Sequence, residues 1–204
     1  MQECGTGPAI LATIAGYRNS LDAQSNAALT MPGKPRKNVG MTISYLVRRA
    51  DARRAAIAGP GLADVTYGDL VAIMGAAQHS LNAAGLGRGD KIAIVLPNGP
   101  HMAVAFVAVA ASAIAAPLNP AFREDEFRYC MEDLGVKALL VNAGSASPAI
   151  AAASALGIPL VEMAEDFSLH AEMRGTASNP GFTRHEEVAL VLHTSGTTSR
   201  PKIV

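Results

Sequence analysis

Tryptophan is absent from this 204-residue chain, and only four tyrosines and five phenylalanines stand in for it. A chain so poor in rings must build its core from aliphatic side chains. Half of its residues are hydrophobic, which places it with globular rather than disordered proteins. An excess of charge of either sign is also missing: 17 basic residues balance 17 acidic ones. Nothing in that balance draws the chain to nucleic acid or to an anionic membrane surface. Lys34, Arg36 and Lys37 are the one basic cluster, and their Pro/Gly-rich surroundings read as a solvated loop.

Cysteine is nearly absent. Cys4 and Cys130 make no disulfide framework. Cys130 falls in a predicted helix as a small buried hydrophobe; as a nucleophile it would need a histidine partner, and sequence alone supplies none. The five histidines (His79, His101, His170, His185, His193) form no metal-ligating spacing. Gln2 and Glu3 replace the basic start of a secretory signal. The longest apolar run, residues 102–116, is interrupted by Ser112 and is too short for a bilayer; it reads as a buried helix entering a strand. A soluble intracellular protein is expected, in the cytoplasm first and the peroxisome second.

Residues 1–40 show no periodicity and hold Gly5, Gly7, Pro8, Pro32, Gly33, Pro35 and Gly40, so a poorly ordered leader is expected there, with the domain spanning 41–204 and Met41 an alternative start. From Met41 the pattern alternates. Residues 42–54 carry Ile43, Leu46, Val47 and Ala50 at helical spacing, with Arg48, Arg49, Arg53 and Arg54 turned outward. Short extended pieces follow at 57–58 and 65–67. Thr66 and Asp69 form a capping-box start for a helix to about Ala84, which Gly85 ends. Strands are predicted at 91–96, 113–118, 137–141, 159–162 and 188–192, and helices at 101–111, 123–134 and 146–156. Residues 164–187 read as an irregular connection. Short apolar strands alternating with helices give an α/β fold with a mostly parallel sheet and flanking helices.

Ligands of open parallel sheets gather beyond the carboxyl ends of strands. Pro97-Asn98, Leu118-Asn119-Pro120 and the segment after Leu192 are such ends, and only the last has distinctive chemistry. It reads His193-Thr194-Ser195-Gly196-Thr197-Thr198-Ser199-Arg200-Pro201-Lys202. Gly196 permits close backbone approach, successive N–H groups can form an anion nest, and the hydroxyls add donors. Arg200 and Lys202 add positive charge. An ammonium about 4 Å from a phosphate oxygen gains roughly 4 kcal/mol at an effective dielectric near 20, before desolvation. No glycine directly precedes Lys202, so the segment is not a Walker A loop. The glycine-rich stretch at 85–89 precedes a strand, not a helix, which argues against a dinucleotide-binding turn. By composition alone, a Ser/Thr-rich surface loop that binds nothing would be the plainer reading.

The ordered string changes that. Thr194-Ser195-Gly196-Thr197-Thr198, followed by Pro201-Lys202, resembles the phosphate-loop signature of the adenylate-forming (AMP-binding) superfamily. Upstream segments resemble other family motifs in the same order: Val65-Thr66-Tyr67-Gly68-Asp69-Leu70, Gly89-Asp90-Lys91-Ile92-Ala93-Ile94-Val95-Leu96-Pro97-Asn98 and Ala116-Pro117-Leu118-Asn119-Pro120. The resemblance covers 41–204. It implies the N-terminal part of the large adenylate-forming domain, with the sheet incomplete. It also implies an acyl-CoA synthetase activity: a carboxylic acid is activated with ATP and Mg2+ to an acyl-adenylate, pyrophosphate leaves, and CoA then displaces AMP. Thr194, Ser195, Gly196, Thr197, Thr198 and Lys202 would hold the ATP phosphates, with no catalytic or metal-binding residue inside the chain. Ser199 departs from the glycine found in most members, and Ser-Arg-Pro-Lys resembles the oxalate–CoA ligase subgroup. In the family the acyl pocket, the Mg2+-binding acid, the adenosine-binding residues and the adenylating lysine come later in sequence. The expectation is therefore a fragment, inactive alone, of an acid–CoA ligase; the alternative is a non-catalytic truncated product with weak nucleotide binding.

Overall fold

The structure is a computed structural model that describes residues 41–59, 62–194 and 202–204. The expected leader at 1–40 lies outside the described residues.

The first helix, α1 (Ile43–Arg48), is capped by Thr42, whose hydroxyl accepts from the Tyr45 N–H. It is shorter than its periodicity predicts. Asp51 accepts from the Arg53 N–H in a local turn that stops the helix, and Leu46 is exposed. The two short extended pieces, β1 (Ala55–Gly59) and β2 (Leu62–Thr66), pair with each other as an antiparallel hairpin. Helix α2 (Tyr67–Ala83) opens on the predicted capping box: Thr66 Oγ1 accepts from the Asp69 N–H, and Asp69 Oδ2 accepts from the Thr66 N–H. Gly85, at φ +86°, takes the left-handed conformation just after it.

The main sheet follows. Strands β3 (Lys91–Ile94), β4 (Ile114–Pro117), β5 (Ala138–Asn142) and β6 (Leu160–Met163) are mutually parallel, joined by helices α3 (Pro100–Ala110), α4 (Glu124–Leu134) and α5 (Pro148–Ala155). Strand β7 (Leu169–Ala171) adds an antiparallel edge, giving the order β4-β3-β5-β6-β7. This strand lies in the connection that sequence reads as irregular.

Alternation along the strands makes two cores. Ile92, Ile94 and Leu140 pack with Leu70, Met74, Leu81, Val104 and Val109 of α2 and α3 on one face. Ala93, Val95, Leu139 and Val141 pack with Phe127, Met131 and Ala152 of α4 and α5 on the other. Burial on both faces is why these strands read as continuous apolar runs. Each large aliphatic buried here contributes about 1.5–3 kcal/mol. Among the described residues no helix is long and apolar enough to cross a membrane.

After β7 the chain runs past the ends of α2 and α3, tied at several points. Asn82 Oδ1 accepts from the Gly181 N–H at 2.9 Å, and Asn82 Nδ2 donates to the Leu86 carbonyl at 2.8 Å. Arg88 N–H donates to the Asn179 carbonyl at 2.9 Å. The buried Thr183 hydroxyl reaches the Ala110 and Ala111 carbonyls that end α3. Gly87 is required by close approach: a Cβ there would lie 2.5 Å from the Asn179 carbonyl oxygen.

Candidate functional site

Beyond this connection the chain reaches the other edge of the sheet. The Ala115 N–H donates to the Ala189 carbonyl and the Val191 N–H to the Ala115 carbonyl, so the segment runs alongside β4 in the same direction. The strand predicted at 188–192 is thereby reduced to one parallel bridge, between Ala115 and Leu190. The reason lies in its hydrogen bonds: Leu192 turns both its N–H and its carbonyl to Val204 instead.

Two short strands carry on from there. β8 (His193–Thr194) and β9 (Lys202–Ile203) pair antiparallel, with His193 opposite Ile203 and Thr194 opposite Lys202. Of the predicted phosphate-binding residues, Thr194 and Lys202 are therefore cross-strand neighbours in backbone register. Ser195, Gly196, Thr197 and Thr198 lie outside the described residues, as do Ser199, Arg200 and Pro201. Among the described residues no group of three or more His, Cys, Asp or Glu side chains is placed to hold a metal ion.

The site has a feature that sequence does not reveal. Cys130 and Asp133 are one turn apart on α4 and share a face. His193 reaches both: its Nδ1 is 3.3 Å from Cys130 Sγ, and its Nε2 is 2.9 Å from Asp133 Oδ2. Its side chain is only 9% exposed, and the Tyr129 ring lies beside it with centroids 6.3 Å apart. The histidine partner that Cys130 lacked in sequence is thus supplied 63 residues away. The environment is wrong for a nucleophile, however. Burial pushes the Cys130 thiol above its ordinary value of 9.0, and the negative charges of Asp133 and Glu126 push it further the same way. Cys130 is 5% exposed and sits within a helix, not at a helix N-terminus. A thiol held protonated, next to an imidazole, is a hydrogen-bond donor.

An open, mostly parallel sheet covered on both faces by helices defines an α/β domain of the kind that takes ligands beyond its strand ends. The comparisons with known proteins narrow this. The pattern of the family described as AMP-binding enzyme matches residues 46–204, and the chain belongs to that family. An oxalate–CoA ligase of Saccharomyces cerevisiae is 35% identical over 176 residues, a match spanning 69% of this chain and 32% of the relative. An oxalate–CoA ligase of Arabidopsis thaliana is 38% identical over 136 residues, spanning 62% of this chain and 26% of the relative. The chain thus spans about a third of the length of the curated relatives it matches. Among solved structures, ATP-bound MatB from Rhodopseudomonas palustris superposes with a TM-score of 0.64 at 23% identity, covering 80% of this chain and 34% of that one. That likeness carries the fold.

Proposed function

We propose that this chain carries the phosphate-binding segment of an ATP-dependent carboxylic acid–CoA ligase. In the first half-reaction a carboxylate oxygen attacks the α-phosphorus of ATP, and the bond to the bridging oxygen breaks with loss of pyrophosphate. In the second, the CoA thiol attacks the acyl carbon, loses its proton, and AMP leaves with the bonding pair. The observation that carries this reading is the signature at 194–202, whose two ends, Thr194 and Lys202, are paired across β8 and β9. A glycine, a run of hydroxyls and a lysine between two paired strands fit a polyphosphate by donor chemistry. Backbone amides and the Lys202 ammonium would offset the charge that develops on the departing pyrophosphate. Magnesium would supply further charge neutralisation, and the described residues assign it no ligand.

Ser199 and the relatives support an acid of the oxalate class as the first substrate to try. The test is acid-dependent exchange of pyrophosphate into ATP by the protein that carries this segment, with oxalate among a panel of carboxylic acids. Exchange with at least one acid, followed by thioester formation with CoA, is the expected result. Hydride transfer, or ATP turnover independent of any acid, would reject the reading.

A further inference from the structure

The link between α4 and the strand that begins the phosphate-binding segment has a role of its own. It rests on the reading above and specifies how the segment is held. A carboxylate only accepts hydrogen bonds, so the 2.9 Å contact to Asp133 requires the proton of His193 on Nε2. In the neutral ring Nδ1 is then a bare acceptor, and the Cys130 thiol, 3.3 Å away, donates to it. With the ring neutral, the three groups form one continuous chain, thiol to imidazole to carboxylate. Burial and two nearby carboxylates keep the thiol in the protonated form that this arrangement needs. His193 is adjacent to Thr194 and opposite Ile203, and Thr194 is opposite Lys202. The imidazole contacts thus tether β8 to α4, and β9 is paired to β8 at the other end of the segment.

We propose that His193 is a positioning residue for ATP, and that the donor thiol of Cys130 and the acceptor carboxylate of Asp133 lock its tautomer and orientation so that β8 and β9 present the phosphate-binding segment in register. The role assigned to Cys130 is that of a neutral donor from a helix, with no part for its nucleophilicity. A serine could replace it, and an alanine could not.

The first test does not depend on activity. In the protein that carries this chain, 15N-labelled histidine reports the tautomer of His193. The expected result is protonation at Nε2, shifted by Asp133→Asn. The amide resonances of Thr194 and Lys202 should move in Cys130→Ala and return toward their original positions in Cys130→Ser. A ring protonated at Nδ1 alone, or amides that ignore Cys130→Ala, would overturn the proposal. The second test separates positioning from folding. Cys130→Ala should raise KM for ATP in the adenylation step by on the order of two- to tenfold, the range for loss of one hydrogen bond. Its kcat should fall less, and thioester formation from preformed acyl-adenylate should stay unchanged. Cys130→Ser should recover most of the loss. Equal loss in both half-reactions, or no recovery with serine, counts against the proposal. If no acid supports exchange, the ligase reading fails, and the tautomer and amide measurements still decide this one.

Discussion

The two edges of the main sheet differ in how they are finished. At the β7 edge a three-residue antiparallel strand closes the sheet, Leu169 is buried, and the outgoing chain is bound to the ends of α2 and α3 through Asn82 and Thr183. At the β4 edge a single bridge leads into β8 and β9, and Val188, Leu190, Leu192, Ile203 and Val204 are all exposed. The β4 edge thus leaves more large aliphatic side chains exposed than the β7 edge does. The contrast separates two tasks: the β7 edge is tied into the fold through side-chain hydrogen bonds, and the β4 edge leads into the segment proposed to hold ATP. Damage at one edge should therefore leave the property of the other intact.

The largest effect expected is on activity. The 204-residue chain by itself should show no acid-dependent pyrophosphate exchange, because it spans about a third of its relatives. Turnover above background with any acid in the panel would break the comparison at its root. Next, Lys202→Ala in the active protein should slow adenylation by roughly tenfold to a thousandfold, as for loss of one electrostatic stabiliser. Thr197→Ala or Thr198→Ala should cost less singly, since neutral donors are weaker than charged ones. Thioester formation from preformed acyl-adenylate should be untouched by all three.

The closed edge should respond the opposite way. Gly87→Ala drives a methyl group against the Asn179 carbonyl, and the expected cost is about 1–3 kcal/mol in denaturant unfolding, with activity per folded molecule preserved. Activity falling out of proportion to the folded fraction would blur the division. At the open edge, Leu190→Lys should reduce self-association of the isolated chain in sedimentation experiments while barely moving its melting temperature. The smallest effect concerns pH. A thiol raised in the folded state contributes stability that is complete below its unfolded pKa and is lost as pH rises through the folded value. Stability should thus decline above about pH 9, the ordinary thiol range, and Cys130→Ala should flatten that decline in pH-dependent urea titrations.

Much of the fold is legible in the sequence because burial on both faces leaves a local mark. The run at 91–96 declares β3 through Ile92, Ala93 and Ile94, all fully buried, and the Thr66–Asp69 capping box fixes the start of α2 to the residue. The family, too, is legible, since its motifs are contiguous strings. Strand β7 is not, because Leu169-His170-Ala171 is too short to show alternation and draws its stability from pairing with β6. The premature end of α1 depends on a side-chain turn at Asp51 that competes with a plausible helical pattern. The link from His193 to Cys130 and Asp133 has no sequence signal at all: its members are brought together only when the chain has crossed the sheet and returned to the β4 edge.

Asn82 has a consequence for the order of events in folding. Its side chain joins residue 181 to the end of α2 across 99 residues of chain, and that ring closes around the whole of β3 to β7. Such a contact gains nothing until the strands inside the ring are assembled, because the entropy of closing so long a loop is repaid only by the sheet it encloses. Asn82 therefore works as a latch fastened late. Its removal should leave the refolding rate near its original value and speed unfolding, so that the molecule assembles as fast as before and comes apart sooner.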